Sequence, residues 1–214
     1  MNRETAVGSK RPHIRLEIVL PLISAAFLSV ARAQSPAEVP TLVITPEDSS
    51  IRFSVKSSVK IEGSFATWNA NLTFASTDPT TGALAITIQA DSVNSGSGMK
   101  DGKLKSKDFF YVEEDPTITY KSTKLRQTGP DTFEFDGDFT IRGVTKTEKL
   151  IFKVSRDGKG SGTISGSMAF DRKEYGMNKG IPLVKIADRV EVTVDLKVKH
   201  VSGPLLDLPP ITGS

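Results

Sequence analysis

Residues 101–123, DGKLKSKDFFYVEEDPTITYKST, set how the rest of the chain is read. Elsewhere apolar and polar residues alternate over long runs, the period-2 signature of half-buried strands. Here the alternation stops. A polar segment with spaced apolar residues runs into Phe109-Phe110, and a strand begins behind Pro116. The pattern predicts a short helical segment near 99–108 closing one end of a β-barrel. Leu104, Phe109 and Phe110 would plug or line the interior at that end.

Toward the C-terminus, Ile118 and Tyr120 share one face of a strand over 117–125. After the turn Gly129-Pro130-Asp131, the residues Phe133, Phe135, Phe139 and Ile141 alternate with Glu134, Asp136, Asp138 and Thr140. Gly137 falls on the apolar row, where it relieves crowding or allows a bend. Arg142-Gly143 turns the chain into Leu150, Phe152 and Val154. A hairpin signal at 157–160 precedes the row Ile164, Gly166, Met168 and Phe170. Residues 172–187 are irregular, and Val190 to Val198 alternates most cleanly of all. The tail 202–214 is rich in proline and is expected to be flexible.

Toward the N-terminus, Leu84, Ile86 and Ile88 form another inward row behind a turn at 78–82. Residues 63–75 read as one longer strand with a phase break. Phe65 sits on one parity, and Trp68, Ala70, Leu72 and Phe74 on the other. A bulge at Ala66-Thr67 reconciles them, because an extra residue flips the face. Ile51, Phe53 and Val55 form a further row. A Pro, Asp and Ser turn at 46–50 separates it from a short first strand at 41–44, and 34–40 reads as a linker.

About eight strands at regular spacing with no long helix predict an all-β fold, an extended eight-stranded antiparallel up-and-down barrel, with a sandwich as the alternative. Alternation alone leaves the inside face open, since a transmembrane barrel alternates with its polar side inward. Crowding decides. A barrel of about eight strands has room only for packed side chains or one small ligand. The many Lys, Glu and Asp of the polar rows would not fit there unpaired, so the polar face is expected outward.

The first 33 residues have the form of a secretory leader. Arg3, Lys10, Arg11 and Arg15 precede an apolar run from Ile18 to Val30. That run is shorter than the roughly 20 residues a spanning helix needs. Ala31-Arg32-Ala33 offers a cleavage site after Ala33, so export to the periplasm is expected. Of the 28 basic and 25 acidic residues, five basic and two acidic ones lie in the leader, leaving 23 of each beyond it. The net charge of +3 belongs to the leader, and no electrostatic footprint for nucleic acid remains. The domain at 41–201 is large enough for a real core. Cysteine is absent, which removes disulfides, thiol catalysis and thiolate metal sites.

Catalytic constellations are sparse. His200 is the one histidine beyond the leader, so a His triad or multi-His metal site is not available within a chain, and it is expected at the surface. Ser57 to Lys60 and Ser97 to Lys100 fit the Ser-x-x-Lys spacing of some serine hydrolases, but their partner motifs are missing. The cluster Lys100, Lys103, Lys105, Lys107 has two readings: a solvated helix face balanced by Asp101 and Asp108, or a contact for an anionic headgroup at a barrel mouth. No cofactor or metal is called for.

Several segments together resemble the YceI-like family of exported, lipocalin-like proteins: SSIRFSVK (49–56), EGSF (62–65), KDGKLKSKDFF (100–110), DPTITYKST (115–123), GDFTIRGVTK (137–146), FDRKEYGM (170–177) and ADRVEVTVDL (187–196). Their order covers most of the chain beyond the leader. Ser57, Lys100, Lys103 and Tyr111 depart from residues common at those places in the family. The resemblance implies an eight-stranded barrel around a long apolar cavity that binds polyisoprenoid lipids, isoprenoid quinones included. The lining then implied is Phe53, Val55, Phe65, Ile86, Ile88, Ile118, Tyr120, Phe135, Phe139, Ile141, Phe152, Met168 and Phe170, with Leu104, Phe109 and Phe110 at the closing end. Lys100, Asp101 and Arg172 are the implied headgroup contacts. A non-catalytic carrier, store or scavenger is the function expected. A membrane redox or lipid-pathway partner and a homodimer stay open. The rival is a stress-related or partner-binding barrel whose interior is simply filled.

Overall fold

The structure is a computed structural model that describes residues 38–157 and 159–210. The expected leader with its cleavage site, the start of the expected linker, Gly158 of the expected hairpin and residues 211–214 lie outside the described residues. In chain order the elements are β1 (Thr41–Ser57), β2 (Ile61–Phe65), β3 (Trp68–Thr73), β4 (Ala83–Gln89), β5 (Val93–Asn94), α1 (Gly98–Lys105), β6 (Thr117–Gln127), β7 (Thr132–Ile141), β8 (Val144–Arg156), β9 (Gly162–Asp171) and β10 (Ile186–Ser202). All pair antiparallel in one sheet, in the order β3-β4-β6-β7-β8-β9-β10-β1-β2-β5.

Ten strands stand where eight were expected, because two strands are interrupted side by side. β2 and β3 are separated by Ala66 and Thr67 alone, and β4 and β5 by a 3₁₀ turn over Ala90–Ser92. Hydrogen bonds cross both breaks: the Ala66 amide donates to the Ser92 carbonyl at 3.1 Å, and the Gln89 amide to the Thr67 carbonyl at 3.0 Å. The two ends of the strand order therefore belong to the same pair of interrupted strands, and the sheet curls into the barrel class. The break at Ala66-Thr67 is where the phase of the apolar residues changes, so that Phe65 and Leu72 are both buried.

The turn expected at 46–50 is instead a bulge inside β1. Pairing with β10 steps from Thr45↔Lys197 to Ser50↔Asp195. Ser49 holds the excursion closed, its hydroxyl donating to the Thr45 carbonyl at 2.7 Å and accepting from the Lys197 amide at 2.8 Å. Three extra residues flip the face, which brings both Leu42 and Ile51 to the interior side. The polar rows face outward and carry ion pairs such as Lys149–Glu134 at 2.9 Å.

Two strand glycines admit aromatic rings from neighbouring strands. A Cβ on Gly137 would lie 2.5 Å from the Tyr120 ring and 2.7 Å from the Lys121 carbonyl. A Cβ on Gly166 would lie 2.2 Å from the Phe152 ring. Rings laid over cross-strand glycines fill the space a missing side chain leaves and pin the register.

Candidate functional site

The stretch that breaks the alternation closes one end of the barrel. α1 carries one buried residue, Leu104. Past its end the chain tightens: the Phe109 amide bonds the Ser106 carbonyl at 3.0 Å, and the Phe110 amide bonds the Leu104 carbonyl at 2.8 Å. These turns aim both phenyl rings inward, where they are buried. Phe110 meets Phe53 at 6.0 Å and Phe65 at 5.8 Å between ring centroids. A second aromatic cluster joins Phe139, Phe170 and Tyr175 at 5.0–5.4 Å.

Both clusters border an apolar cavity of about 100 Å³. Eleven of the expected wall residues line it: Phe53, Val55, Phe65, Ile88, Leu104, Phe109, Phe110, Ile118, Phe139, Ile141 and Phe170. A second apolar cavity, of about 180 Å³, holds Phe135 and Phe152 together with Leu72, Leu84, Leu125, Ile164, Leu196 and Val198.

Three expected wall residues, Ile86, Tyr120 and Met168, are buried but line neither cavity. Along their strands they fall between the residues that line one cavity and those that line the other. On β4 the inward row runs Leu84, Ile86, Ile88, from the second cavity through this level to the first. On β9 it runs Ile164, Gly166, Met168, Phe170, and on β10 in reverse, Val192, Val194, Leu196. Gly137 and Leu150 supply the same level on β7 and β8. Tyr120 fixes this waist, its hydroxyl donating to the Phe135 carbonyl at 3.1 Å. Two chambers thus stand where one long cavity was expected, with a waist of buried side chains between them, Tyr120, Ile86, Met168, Leu150 and Val194, at a level where two inward positions are glycine.

The second chamber is roofed by the tail. Leu205, Leu206 and Leu208 line it beside Pro40 and His200. The Asp207 amide donates to the Thr77 carbonyl at 2.8 Å, the Thr77 hydroxyl donates to the Asp207 carboxylate at 2.6 Å, and the Arg156 guanidinium bonds the Pro209 carbonyl. Residues 203–210 are thus hydrogen-bonded to the barrel through Thr77 and Arg156. His200, expected at the surface, is half-buried at this rim and donates from Nε2 to the Gly203 carbonyl at 3.1 Å.

The three expected headgroup contacts divide. Lys100 and Arg172 border the first cavity and Asp101 does not. Asp101 holds the loop ahead of α1, accepting from the Ser95 hydroxyl at 2.6 Å and amide at 2.8 Å, which keeps its carboxyl below the usual carboxylate range. Lys100 donates to the Lys60 carbonyl at 2.9 Å. Arg172 is buried and clamps the irregular segment after β9: it bonds the carbonyls of Ala187 at 3.1 Å, Lys179 at 3.1 Å and Met177, and pairs with Asp188 at 3.2 Å. Lys103 also reaches the cavity wall, paired with Asp108 at 2.5 Å and set over the Phe109 ring.

Neither Ser-x-x-Lys match forms a nucleophile–base pair: Ser57 donates to the Val59 carbonyl, and Lys100 is held by Lys60. The sequence reading missed Met177, Ile181 and Ile186 in the first cavity and Tyr175 behind it. Tyr175 is fully buried and donates to the Glu148 carboxylate at 2.8 Å, and burial with that carboxylate raises its pKa. These residues lie in the stretch without periodicity, where no alternation could mark them.

The comparisons with known proteins agree with this architecture. A family model described as "YceI-like domain" matches residues 42–198. A UPF0312 protein of Azotobacter vinelandii is 27% identical over 124 residues, covering 56% of this chain and 65% of its own length, so the match spans a little under two thirds of that relative. Burkholderia cenocepacia BcnA superposes with a TM-score of 0.65 at 24% identity, covering 73% of this chain and 99% of that one. A polyisoprenoid binding domain from Saccharophagus degradans superposes with a TM-score of 0.58 at 12% identity, covering 76% and 99%. At those identities the structural likeness concerns the fold; the family match over 42–198 carries membership, and the chain belongs to the YceI-like family.

Proposed function

We propose that the chain is an exported, non-catalytic lipid-binding protein that holds a long isoprenoid-like chain, a polyprenyl or quinone tail, inside the barrel as carrier, store or scavenger. The observation that carries this is the interior itself: two apolar chambers in line, walled by aromatic and aliphatic side chains. The Saccharophagus neighbour, a polyisoprenoid binding domain by name, supports the ligand class. The leader at 1–33 supports export and the periplasm.

Size constrains how such a ligand sits. A cavity of about 150 Å³ holds a molecule the size of benzene, so neither chamber alone takes a long chain. From Ile164 to Phe170 along β9 is about 20 Å at ~3.3 Å per residue. A chain longer than that occupies both chambers by displacing the waist. Met168 is the side chain suited to yield, being unbranched and adaptable. The gain comes from burying methylenes, at ~0.8 kcal/mol each, less the cost of moving the waist.

The waist also supports a rival, a filled barrel with a stress-related or partner-binding role. Organic extraction of the purified protein followed by mass spectrometry separates them. A co-purifying isoprenoid, or stoichiometric uptake of added polyprenol or quinone, is expected. Buffer components alone, with no uptake, would leave the filled barrel.

A further inference from the structure

Three segments gather at the rim of the first chamber: the β1–β2 turn, α1 with its N-terminal approach, and the loop between β9 and β10. Hydrogen bonds tie them together. Lys100 donates to the Lys60 carbonyl at 2.9 Å, the Ser58 amide to the Lys185 carbonyl at 2.9 Å, and the Lys185 amide to the Ser58 hydroxyl at 3.1 Å. Lys100, Lys103, Leu104, Ile61 and Ile181, from the same segments, line the chamber. The rim is therefore the edge of the opening beside the ligand space.

Each rim segment lifts one large apolar side chain into solvent. Leu183 is 104% exposed, Met99 89% and Val59 44%; the first two are the most exposed large hydrophobics among the described residues. Leu183 does so on a left-handed backbone, at φ 65°. A β-carbon in that region is costly for a leucine and gains no packing here. Among the described residues nothing packs against the Leu183 side chain.

Charge distinguishes the rim as well. Residues 57–62, 98–108 and 177–186 hold seven lysines against three carboxylates, Glu62, Asp101 and Asp108. All three carboxylates have partners within the chain: Glu62 with Lys60 at 2.6 Å, Asp101 with Ser95, Asp108 with Lys103. The chain beyond the leader is balanced, with 23 charges of each sign, so the excess is local. Apolar tips set among lysines match a bilayer that carries anionic headgroups: lysines meet the phosphates and the tips enter the acyl boundary. A protein interface would instead favour aromatic, methionine and arginine anchors with few lysines, so it is the lysines, not Met99, that point to the bilayer.

We infer that this rim docks on the surface of an anionic phospholipid bilayer and holds the first chamber's opening against it, where an isoprenoid chain can enter without crossing water. The inference names the partner surface for the lipid-binding reading and rests on it for its purpose. The docking itself is measured separately.

The test is flotation of the purified protein with vesicles of phosphatidylcholine alone or with about a quarter phosphatidylglycerol. Binding to the anionic vesicles is expected to exceed binding to the neutral ones at least tenfold. It should fall as salt rises from about 0.1 to about 1 M, where the Debye length shrinks from ~10 to ~3 Å. The double variant Met99→Ser/Leu183→Ser changes two solvent-facing side chains and should lower binding at least about fivefold, with the melting temperature unchanged. The charge variant Lys107→Glu/Lys179→Glu should lower it further. No preference for anionic vesicles, or full binding by the Met99→Ser/Leu183→Ser protein, would overturn the docking. So would self-association, by light scattering, that the same variant disperses. Lipid content, read by extraction on the same samples, keeps the two readings apart. A lipid-loaded protein that ignores vesicles defeats the docking alone, and an empty protein that docks defeats the ligand reading alone.

Discussion

Single residues set the waist and the mouth, and their cost can be measured. Gly137→Ala pushes a Cβ against the Tyr120 ring and the Lys121 backbone. Overpacking of this kind costs about 1–3 kcal/mol, which urea denaturation should register as a lower midpoint at unchanged slope. Arg172→Ala leaves three carbonyls without their donor and Asp188 without one of its cations. A loss of about 1–3 kcal/mol is expected from the unsatisfied carbonyls, with hydrogen exchange rising first over 177–187. The buried phenols give a pH signature. Burial raises the pKa of Tyr120 and Tyr175 above the ordinary 10.0. The folded state thus holds the phenolic proton more tightly than the unfolded chain, so stability is intact below pH about 10 and falls as pH rises beyond it. Tyr175→Phe should flatten that alkaline loss, read as melting temperature against pH. At this scale alternation marked Phe53, Phe139 and Phe170 as inward, because strand parity fixes a face. It could not mark Arg172 as a loop clamp, since its partners are backbone carbonyls that no side-chain pattern encodes.

At the scale of elements, each departure from expectation has a local cause. The β1 excursion stays inside one strand because Ser49 bridges it to β10, although Pro46 and Asp48 carry turn chemistry. The helix and the paired phenyls near 99–110 were legible because a break in alternation is itself a signal. The placing of Leu205, Leu206 and Leu208 was not, because they pack on the barrel end and not on a sheet face. Deleting residues 204–214 should uncover the second chamber. The expected readout is stronger fluorescence of an apolar dye such as anilinonaphthalene sulfonate, with the far-ultraviolet dichroism of the sheet retained. Unchanged dye binding would mean that the leucines roof nothing.

For the whole molecule, the barrel combines a polar outside with an apolar interior divided into two chambers. Sequence pattern reached the barrel class, since inward rows recur at regular spacing around it. It did not reach the division, because a waist of buried side chains depends on which rings lie over which glycines across strands. Whether the division yields to a long ligand is the central claim. The direct measurement is native mass spectrometry of the protein with prenols of increasing length, alongside Met168→Trp. The wild-type protein should retain one prenol per chain, with retention rising once the chain exceeds the roughly 20 Å between chambers. Met168→Trp should keep the fold and lose the long prenols. Retention that ignores chain length, or a Met168→Trp protein that holds long prenols as well as the wild type, would contradict it.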